Sequence, residues 1–406
     1  MSKDDLVQVI DTLASQCVKC GLCLPHCPTY NLDQNENESP RGRISLLQAL
    51  VQEKLPTSES VLVHLDRCLT CRHCERVCPA HVDYGNLISK GRYWVQRDKK
   101  RQNTSFKTKL LAYLVQTPRK IKWAGLFLYL LEITRLRALA QQLGIPSFLG
   151  LSNLDQLLPT VPKQKSFRSF YAHRAPYKGS VGLFLGCLSR WCDREIPSEI
   201  INIVTRLGFD IYIPQDQGCC GALAEHQGFH QDAKKLVALT QAIFEPLPID
   251  TILTFASGCG AMLLEQSTLS VKDISDFLLP YLKPEYLHPL PYRVALHTPC
   301  TLINGMHKAT PPHQILQKIP GLACFLIKED GMCCGSAGSY MLEQPERAVL
   351  LANKIIDSIP FDTLDYLVTS NIGCALHFRR ILNLRGIKLP VVHPISLVAK
   401  AFLSRS

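Results

Sequence analysis

The fold of this chain is decided by two cysteine runs, CVKCGLCLPHCP at residues 17–28 and CLTCRHCERVCP at residues 68–79. Each run has the spacing C-x2-C-x2-C-x3-C and is followed by proline. Thiolates spaced this closely on a short loop can wrap one small cluster, because each metal atom takes one soft sulfur ligand. The spacing is typical of segments that bind cubane iron–sulfur clusters. The duplicated run therefore predicts two [4Fe-4S] clusters.

The fourth cysteine of each run is predicted to bind the cluster of the other run. In two-cluster ferredoxins the three-residue gap and the following proline turn the chain away from the first cluster. The first cluster is assigned to Cys17, Cys20, Cys23 and Cys78, and the second to Cys68, Cys71, Cys74 and Cys27. Zinc is the competing metal, but zinc sites usually use two separated pairs of ligands rather than three plus one.

The composition is that of a globular protein with an excess of cysteine. At 406 residues and 46% hydrophobic content, the chain is long enough for two or three domains with cores. Of the 18 cysteines, 16 fall into ligand-like groups, and the start MSKDDLVQVID lacks a basic, apolar signal segment. We therefore expect a reducing, cytoplasmic location. The apolar run at residues 123–131 is bracketed by Lys122 and Glu132, so no membrane-spanning helix is predicted.

The net charge of +11 is concentrated in one segment. Residues 90–122 contain eleven basic residues and one acidic residue, Asp98, and an apolar run to Ile133 follows. Such a segment can lie peripherally on an anionic membrane, here the inner face of the cell membrane, or dock an acidic partner subunit. A solvated helical linker is the third interpretation. Nucleic acid is not an expected partner, because no recognised binding motif accompanies the charge.

The order of elements predicts an α+β protein. A helical two-cluster ferredoxin-type domain is expected at residues 1–105, and a basic and apolar helical segment with a linker at 106–178. The polar stretch between the cysteine runs is predicted to be a loop whose Arg41 and Arg43 either offset cluster charge or stay in solvent. From residue 179, short apolar runs that end in Cys or Gly alternate with helical stretches. This alternation predicts α/β units with ligands at the carboxyl ends of the strands.

The C-terminal half is an internal repeat, with units predicted at residues 179–290 and 291–406. Three cysteine landmarks recur at offsets of 113 to 115 residues. The repeated thiols are Cys187, Cys219, Cys220 and Cys259, then Cys300, Cys333, Cys334 and Cys374. Glycine after each adjacent pair lets the backbone turn so that both sulfurs face one metal centre, which makes these eight thiols candidate ligands. Cys192 and Cys324 fit no group and are predicted to be core residues.

The cysteine runs combined with the duplicated CCG landmarks resemble the iron–sulfur subunits of glycolate oxidases. The resemblance extends over essentially the whole chain. It is carried by ESPRGRI at 38–44, HLDRCLTCRHCERVCP at 64–79, GCCGA at 218–222, SGCGA at 257–261, CCGSAGSY at 333–340 and NIGC at 371–374. Similar subunits serve D-lactate and other hydroxyacid dehydrogenases, anaerobic glycerol-3-phosphate dehydrogenase and heterodisulfide reductase. The CCGSAGSY and SGCGA segments favour glycolate oxidase.

The resemblance implies a division of labour within an oxidoreductase complex. FAD-containing partner subunits would oxidise a 2-hydroxy acid, glycolate to glyoxylate in the favoured case. This subunit would pass the electrons through its two clusters to a quinone or another membrane acceptor, and no residue of this chain is then expected to be catalytic. The sequence contains neither a GxGxxG fingerprint nor a GK[ST] phosphate loop, which agrees with flavin binding on a partner.

The sequence departs from the heterodisulfide reductase pattern at two positions. Each CCG unit of that enzyme resembles a five-thiolate site ending C-x2-C, whereas Met262 and His377 stand at the fifth position here. The remaining thiols fit a further cluster, a zinc ion or no metal. His377 is a candidate ligand, since C-x2-H on a helix places both residues on one face; His226 and His297 are less favoured. Disulfide reduction at the CCG units and a zinc-stabilised binding module therefore stay open beside electron transfer.

Overall fold

The computed structural model describes residues 2–97, 117–148, 150–157, 166–328 and 332–402. Most of the basic segment lies outside the described residues, as do the predicted boundary at residue 105 and part of the predicted linker. Within the described residues, helices form the N-terminal region and two sheets flanked by helices form the C-terminal half.

The N-terminal region is a group of short helices whose connecting loops carry most of the cysteines of the two runs. Its α-helices span Lys3–Ser15, Tyr30–Asp33, Pro40–Val51, Glu59–Asp66, His73–Arg76 and Tyr84–Arg97, with a 3-10 turn at Glu36–Glu38. The first helix begins at a capping box formed by Ser2 and Asp5. Its apolar positions recur at helical spacing, so Leu6 and Ile10 are buried in a core shared with Leu47 and Leu87. This core supports both cysteine runs.

Residues 117–157 form a series of helices with many apolar side chains in solvent. The helices span Pro118–Ile133, Leu136–Gln142, Ile145–Phe148 and Ser152–Leu157. The side chain of Thr117 caps the first of them by accepting a hydrogen bond from the backbone N–H of Lys120. Trp123 is 72% exposed and Phe148 is 91% exposed. No helix in the described ranges has both the length and the apolar character needed to cross a bilayer.

Two sheets, built mainly from parallel strands, form the C-terminal half. The first contains β1 (Phe170–Tyr171), β2 (Gly179–Phe184), β3 (Phe209–Tyr212), β4 (Thr251–Thr254) and β5 (Val271–Asp273), in the order β1-β3-β2-β4-β5. The second contains β6 (Arg293–His297), β7 (Ala323–Leu326), β8 (Tyr366–Thr369) and β9 (Val391–Val392), in the order β7-β6-β8-β9. The pairing of β1 with β3 is antiparallel and the other pairings are parallel.

Helices and tight turns connect these strands. The α-helices span Ser189–Cys192, Glu195–Arg206, Ala222–His226, His230–Phe244, Ser257–Gln266, Ile274–Leu278, Pro311–Gln317, Tyr340–Glu343, Pro345–Ile356, Ile372–Leu384 and Pro394–Ala401. Shorter turns are 3-10 at Pro284–Tyr286 and Phe361–Thr363 and π-helical at Thr301–Gly305.

The two sheets have the same plan. Strand β2 lies between β3 and β4, and β6 lies between β7 and β8 in the same way. Every residue of β2 is buried, as expected for a parallel strand covered on both faces. Val181 of the first unit and Val294 of the second lie in one continuous core, so the units pack together. The predicted fold class is confirmed: a helical ferredoxin-type region is joined to two α/β units.

Candidate metal centres

Four cysteines from the two runs surround a small cavity in the N-terminal region. The cysteines that line it include Cys17, Cys20 and Cys23 from the first run and Cys78 from the second. Gly21, between two of these cysteines, has a φ of 84°, and a Cβ there would lie 2.9 Å from Nη1 of Arg41. Glycine therefore permits the tight loop that carries these thiols. The structure brings together the four cysteines predicted for the first cluster.

A second cavity adjoins the first. The cysteines that line it are Cys27, Cys68, Cys71 and Cys74. The hydroxyl of Tyr84 lies 3.5 Å from Cys68 Sγ, and the backbone N–H of Thr70 donates to the same sulfur. Cys74 lines both cavities, so the two centres are neighbours. This cavity brings together the four cysteines predicted for the second cluster, including Cys27 from the first run.

A buried ion pair lies beside the second cavity. Arg43 Nη2 donates to Glu38 Oε2 at 2.7 Å, and both side chains are 1% exposed. Arg43 also donates to the hydroxyl of Thr29, which lies 3.3 Å from Cys27 Sγ. Burial lowers the pKa of Arg43, but Cys68 and the other anionic groups around it raise that pKa above its ordinary value. Arg43 is therefore a permanent positive charge next to the thiols.

The predicted loop around Arg41 and Arg43 is wrong in detail. Both residues lie in the first turn of the helix Pro40–Val51, because Ser39 caps that helix and Pro40 occupies its first position. Arg41 is partly exposed and pairs with Glu36 at 2.7 Å. The two arginines therefore differ: one side chain is fully buried and the other lies at the surface.

Both cavities fit a cubane cluster in their donors and in their charge. The first presents its four assigned thiols and that of Cys74, and the second presents four. The lining includes Lys19 and Arg41 in the first and Arg43 and Arg72 in the second. These cations offset the negative charge of a cluster held by four thiolates. Burial raises the pKa of the Cys71 thiol and that of the Cys74 thiol well above the ordinary value for cysteine. Metal binding there must therefore displace their protons.

A third cavity, of about 240 Å³, lies between the two α/β units, and we call it the cysteine-rich cavity. The eight repeated thiols that line it are Cys187, Cys219, Cys220, Cys259, Cys300, Cys333, Cys334 and Cys374. They follow the carboxyl ends of parallel strands, where folds of this class hold ligands. Leu69 and Thr70 of the second cysteine run also line this cavity, as does Cys192, which was predicted to be a core residue.

The glycines of the two CCG segments have a clear structural role. Gly221 and Gly335 have φ values of 90° and 78°. A Cβ at either position would lie within 3 Å of a backbone carbonyl oxygen, that of Ala233 or Ala348. The sulfurs gathered by these turns are close: Cys187 and Cys219 are 3.7 Å apart, and a shorter contact of 2.7 Å joins Cys334 and Cys374.

The histidines are arranged differently from the prediction. His377 does not line the cysteine-rich cavity; its Nε2 donates to the carbonyl of Ala348 at 3.0 Å. In the described residues, His377 is not part of the group of ligand atoms that lie within 4.8 Å of one another. A ring nitrogen of His297 instead lies within 4.8 Å of the sulfurs of Cys334 and Cys374. The sequence signal that could have identified His297 is its position at the end of a predicted strand, three residues before the repeated Cys300.

Met262 and His226 also lie close to these cavities. Met262 lines a neighbouring cavity of about 400 Å³ and not the cysteine-rich cavity, and it lies in one core cluster with Cys220. His226 lines both cavities, and its Nδ1 lies 2.7 Å from the hydroxyl of Thr70. Burial lowers the pKa of His226 to about 4, which keeps the ring neutral at pH 7.

Direct contacts join the second ferredoxin-type centre to the second α/β unit. Asn304, in the π-helical turn that follows Cys300, donates from Nδ2 to the carbonyl of Cys71 at 2.6 Å. Cys71 and Cys300 line the same 400 Å³ cavity. Arg92 donates to the carbonyl of Cys68 and to that of His226, and so ties the cysteine run to the first unit. A cluster at Cys71 would therefore lie next to the cysteine-rich cavity.

Comparison with known families agrees with this division of the chain. Residues 13–82 match the family described as a 4Fe-4S dicluster domain. Residues 181–264 and 294–379 each match the family described as a cysteine-rich domain, abbreviated CCG. These matches support iron–sulfur clusters in the first part and a duplicated unit in the second.

Similar proteins match over almost the entire chain. The probable glycolate oxidase iron-sulfur subunit of Bacillus subtilis is 30% identical over 413 residues, which cover 95% of this chain and 93% of that protein. The glycolate oxidase iron-sulfur subunit of Escherichia coli is 30% identical over 394 residues, 90% of each chain. A subunit of the fumarate reductase (CoM/CoB) of Methanothermobacter marburgensis is 30% identical over 228 residues, 55% of this chain and 46% of that protein. This chain therefore belongs to the family of glycolate oxidase iron–sulfur subunits.

Proposed function

We propose that this chain is the electron-transfer subunit of a flavin-dependent complex that oxidises glycolate to glyoxylate. As a member of its family, the chain is an iron–sulfur subunit of an oxidoreductase. The substrate, an FAD-containing partner and a quinone acceptor are our proposal. The observation that carries it is the pair of adjoining cysteine-lined cavities, which share Cys74. Clusters held there supply one-electron transfer.

The residues around the two centres position the thiols and offset their negative charge. The loops at Gly21 and Thr70 set the thiol positions, and the charged Arg43 lies against the second set. The contact from Asn304 to the Cys71 carbonyl fixes the edge of the second centre against the α/β units. These roles need no general base, and catalytic oxidation of the hydroxy acid is left to the partner.

An exposed apolar face supports contact with a membrane acceptor on the inner face of the cell membrane. Trp123, Phe127 and Leu130 are exposed and recur at helical spacing on one side of the helix Pro118–Ile133. The opposite side packs on the protein, because a Cβ at Gly125 would collide with the ring of Trp191. The basic segment, residues 90–122, extends into the start of this helix. Apolar and aromatic side chains next to basic residues suit an anionic lipid surface.

The test of the electron-transfer proposal compares the chain alone with its native complex. A tag on this chain purifies both forms anaerobically, and glycolate, D-lactate and glycerol 3-phosphate are added in turn. We expect the complex to contain FAD, and glycolate to bleach the cluster absorbance in the complex but not in the isolated chain. Glycolate oxidation by the isolated chain with a dye acceptor would overturn the division of labour. Faster bleaching by another substrate would overturn the assignment to glycolate.

The membrane contact is tested with vesicles of phosphatidylcholine and phosphatidylglycerol. We expect the full-length protein to sediment with these vesicles and not with pure phosphatidylcholine. A Trp123→Ser, Phe127→Ser double variant should lose most of this binding. Leu239→Ser is the matched control, because Leu239 is 59% exposed on a helix of the first α/β unit. Equal binding by all three proteins would contradict the proposal.

Disulfide reduction is the second candidate, and the cysteine-rich cavity is the observation that favours it. Eight thiols face a space of about 240 Å³, large enough for part of a small organic disulfide. Such a reaction would take two electrons and two protons and release two thiols. Reduction of a disulfide by the reduced, isolated chain, lost in Cys333→Ser, would support this candidate; no turnover would exclude it.

A further inference from the structure

The two α/β units differ at one strand position beside the repeated thiols. Phe184 ends β2 and pairs with Thr254, whereas His297 ends β6 and pairs with Thr369. The matching registers make Phe184 and His297 equivalent positions in the two units. One unit therefore has an apolar ring where the other has a potential metal ligand.

One ring nitrogen of His297 has a fixed hydrogen-bond partner. Its Nδ1 lies 3.0 Å from the hydroxyl of Thr369, and a metal ion would bind the other ring nitrogen. Metal-binding histidines usually have their second ring nitrogen fixed by such a partner. The ring is 5% exposed, so it has little access to water as an alternative partner.

Two thiols complete a compact group with this ring. One ligand atom each from His297, Cys334 and Cys374 lie within 4.8 Å of one another. In the part of the chain that the structure describes, no other three His, Cys, Asp or Glu side chains form such a group. With Zn–S of about 2.3 Å and Zn–N of about 2.0 Å, two ligands of one tetrahedral ion lie roughly 3.5 to 3.8 Å apart. The sulfurs of Cys334 and Cys374, which are 2.7 Å apart, would move apart by about 1 Å when the ion binds. The thiolates of a cubane lie farther apart, because each binds a different iron.

We propose that His297, Cys334 and Cys374 bind a single zinc ion in the second α/β unit, with the fourth position of the ion facing the cysteine-rich cavity. Thiolate and imidazole ligands suit zinc among the common divalent ions. The first unit, with Phe184 at the equivalent position, lacks this site. The proposal rests on metal binding in the cysteine-rich cavity but not on the substrate or the acceptor of the complex.

Charge balance favours this ligand set over a four-thiolate cluster. In the described residues, the lining of the cysteine-rich cavity contains no Lys, Arg, Asp or Glu side chain. A divalent ion with two thiolates and a neutral imidazole has no net charge. A cluster held by four thiolates would place uncompensated negative charge in this buried space, which is unfavourable. The two ferredoxin-type cavities, by contrast, have cationic side chains in their linings.

The test is the metal content of the full-length protein after anaerobic purification from zinc-containing medium. Wild type is expected to contain one zinc per chain in addition to its iron. His297→Phe, which installs the residue of the first unit, should lose this zinc and keep the iron and sulfide unchanged. His297→Cys should retain the zinc, because it replaces one ligand by another. Replacing zinc with cobalt should give thiolate-to-cobalt absorption in wild type and in His297→Cys, and none in His297→Phe.

Two controls separate ligand loss from misfolding. Cys187→Ala alters a thiol of the first unit and should leave the zinc in place. Circular dichroism of His297→Phe should match that of wild type. Zinc retained in His297→Phe would overturn the proposal. It would also be overturned if wild type contained no zinc and His297→Phe lost about four irons, the content of one cubane. Neither result would bear on glycolate oxidation by the complex.

Discussion

The ferredoxin-type region contains eight cysteines of the two runs and the cysteine-rich cavity contains the eight repeated thiols, but the charges around the two sets differ. The cavities of the ferredoxin-type region are lined by Lys19, Arg41, Arg43 and Arg72. The cysteine-rich cavity has no such side chain in its described lining, whose titratable groups are thiols and His226. Burial lowers the pKa of His297, which keeps that ring neutral. The charges around the thiols therefore favour anionic metal centres in the ferredoxin-type region and neutral ones in the cysteine-rich cavity.

This difference shows that the number of cysteines does not by itself predict the metal. Four thiolates need nearby cations, and Arg43 is held as one by its pair with Glu38 and by the thiols beside it. In the cysteine-rich cavity, hydrogen bonds join neighbouring thiols. Burial raises the pKa of Cys334, but its hydrogen bonds with Cys333 and Cys374 lower it below its ordinary value. The pKa of Cys374 is raised by its hydrogen bond with Cys334 and by burial.

The largest expected effect comes from removing a thiol that crosses between the two runs. Cys78→Ala should remove the first cluster and lower the iron content by about four per chain. Cys78 is the second-run cysteine among the four assigned to that cluster. Iron and acid-labile sulfide analysis checks this prediction. Cys324→Ala, on strand β7, is the control and should change neither value. Unchanged iron in Cys78→Ala would break the crossed assignment.

The next largest effect concerns the buried ion pair of the ferredoxin-type region, a feature for which the lining of the cysteine-rich cavity has no equivalent. Glu38→Gln leaves Arg43 buried without its anion and should lower the free energy of unfolding by about 3 kcal/mol. Urea unfolding followed by loss of cluster absorbance measures this change. Glu36→Gln is the matched control, because Glu36 pairs with the surface residue Arg41 and the change should be much smaller. Equal effects of the two substitutions would contradict the contrast between buried and exposed pairs.

Much of this architecture is predictable from the sequence, because short-range spacing determines it. The cysteine runs predict two four-thiol sets, and the constant offset predicts a duplicated α/β unit. The CCG glycines are likewise a local signal, since their positive φ values require glycine. Such features depend on residues only a few positions apart.

The environment of the thiols is not predictable in this way, because it depends on contacts between distant segments. His377 lies three residues after Cys374 and matched a local ligand pattern, yet its Nε2 bonds to Ala348. His297 lies 37 residues before Cys334 and comes close to it because β6 pairs with β7, the strand that precedes Cys334. Arg41 and Arg43 are two positions apart, and the way the helix packs decides which one is buried. Tertiary packing decides each of these outcomes.

The smallest expected effect concerns a neutral buried histidine outside the metal centres. His393 is 5% exposed; its Nε2 donates to the carbonyl of Phe255, and its Nδ1 accepts from the backbone N–H of Ile395. This arrangement caps the helix Pro394–Ala401 and joins the two α/β units. Burial lowers the pKa of His393 to about 4. Protonation of Nδ1 would remove the acceptor that caps the helix.

The sign of the pH dependence follows from the difference between the pKa of His393 in the folded protein and its pKa in the unfolded protein. An unfolded histidine, with a pKa of about 6.5, takes up a proton below pH 6.5 while the folded one does not, so stability falls as the pH falls toward 4. Between pH 7 and pH 5.5 wild type should lose about 1 kcal/mol through His393. His393→Asn keeps a side-chain acceptor for the cap but cannot titrate. Urea unfolding at both pH values should therefore show that His393→Asn loses less of its free energy of unfolding than wild type does. Equal losses in the two proteins would mean that His393 is not a neutral buried residue in the folded state.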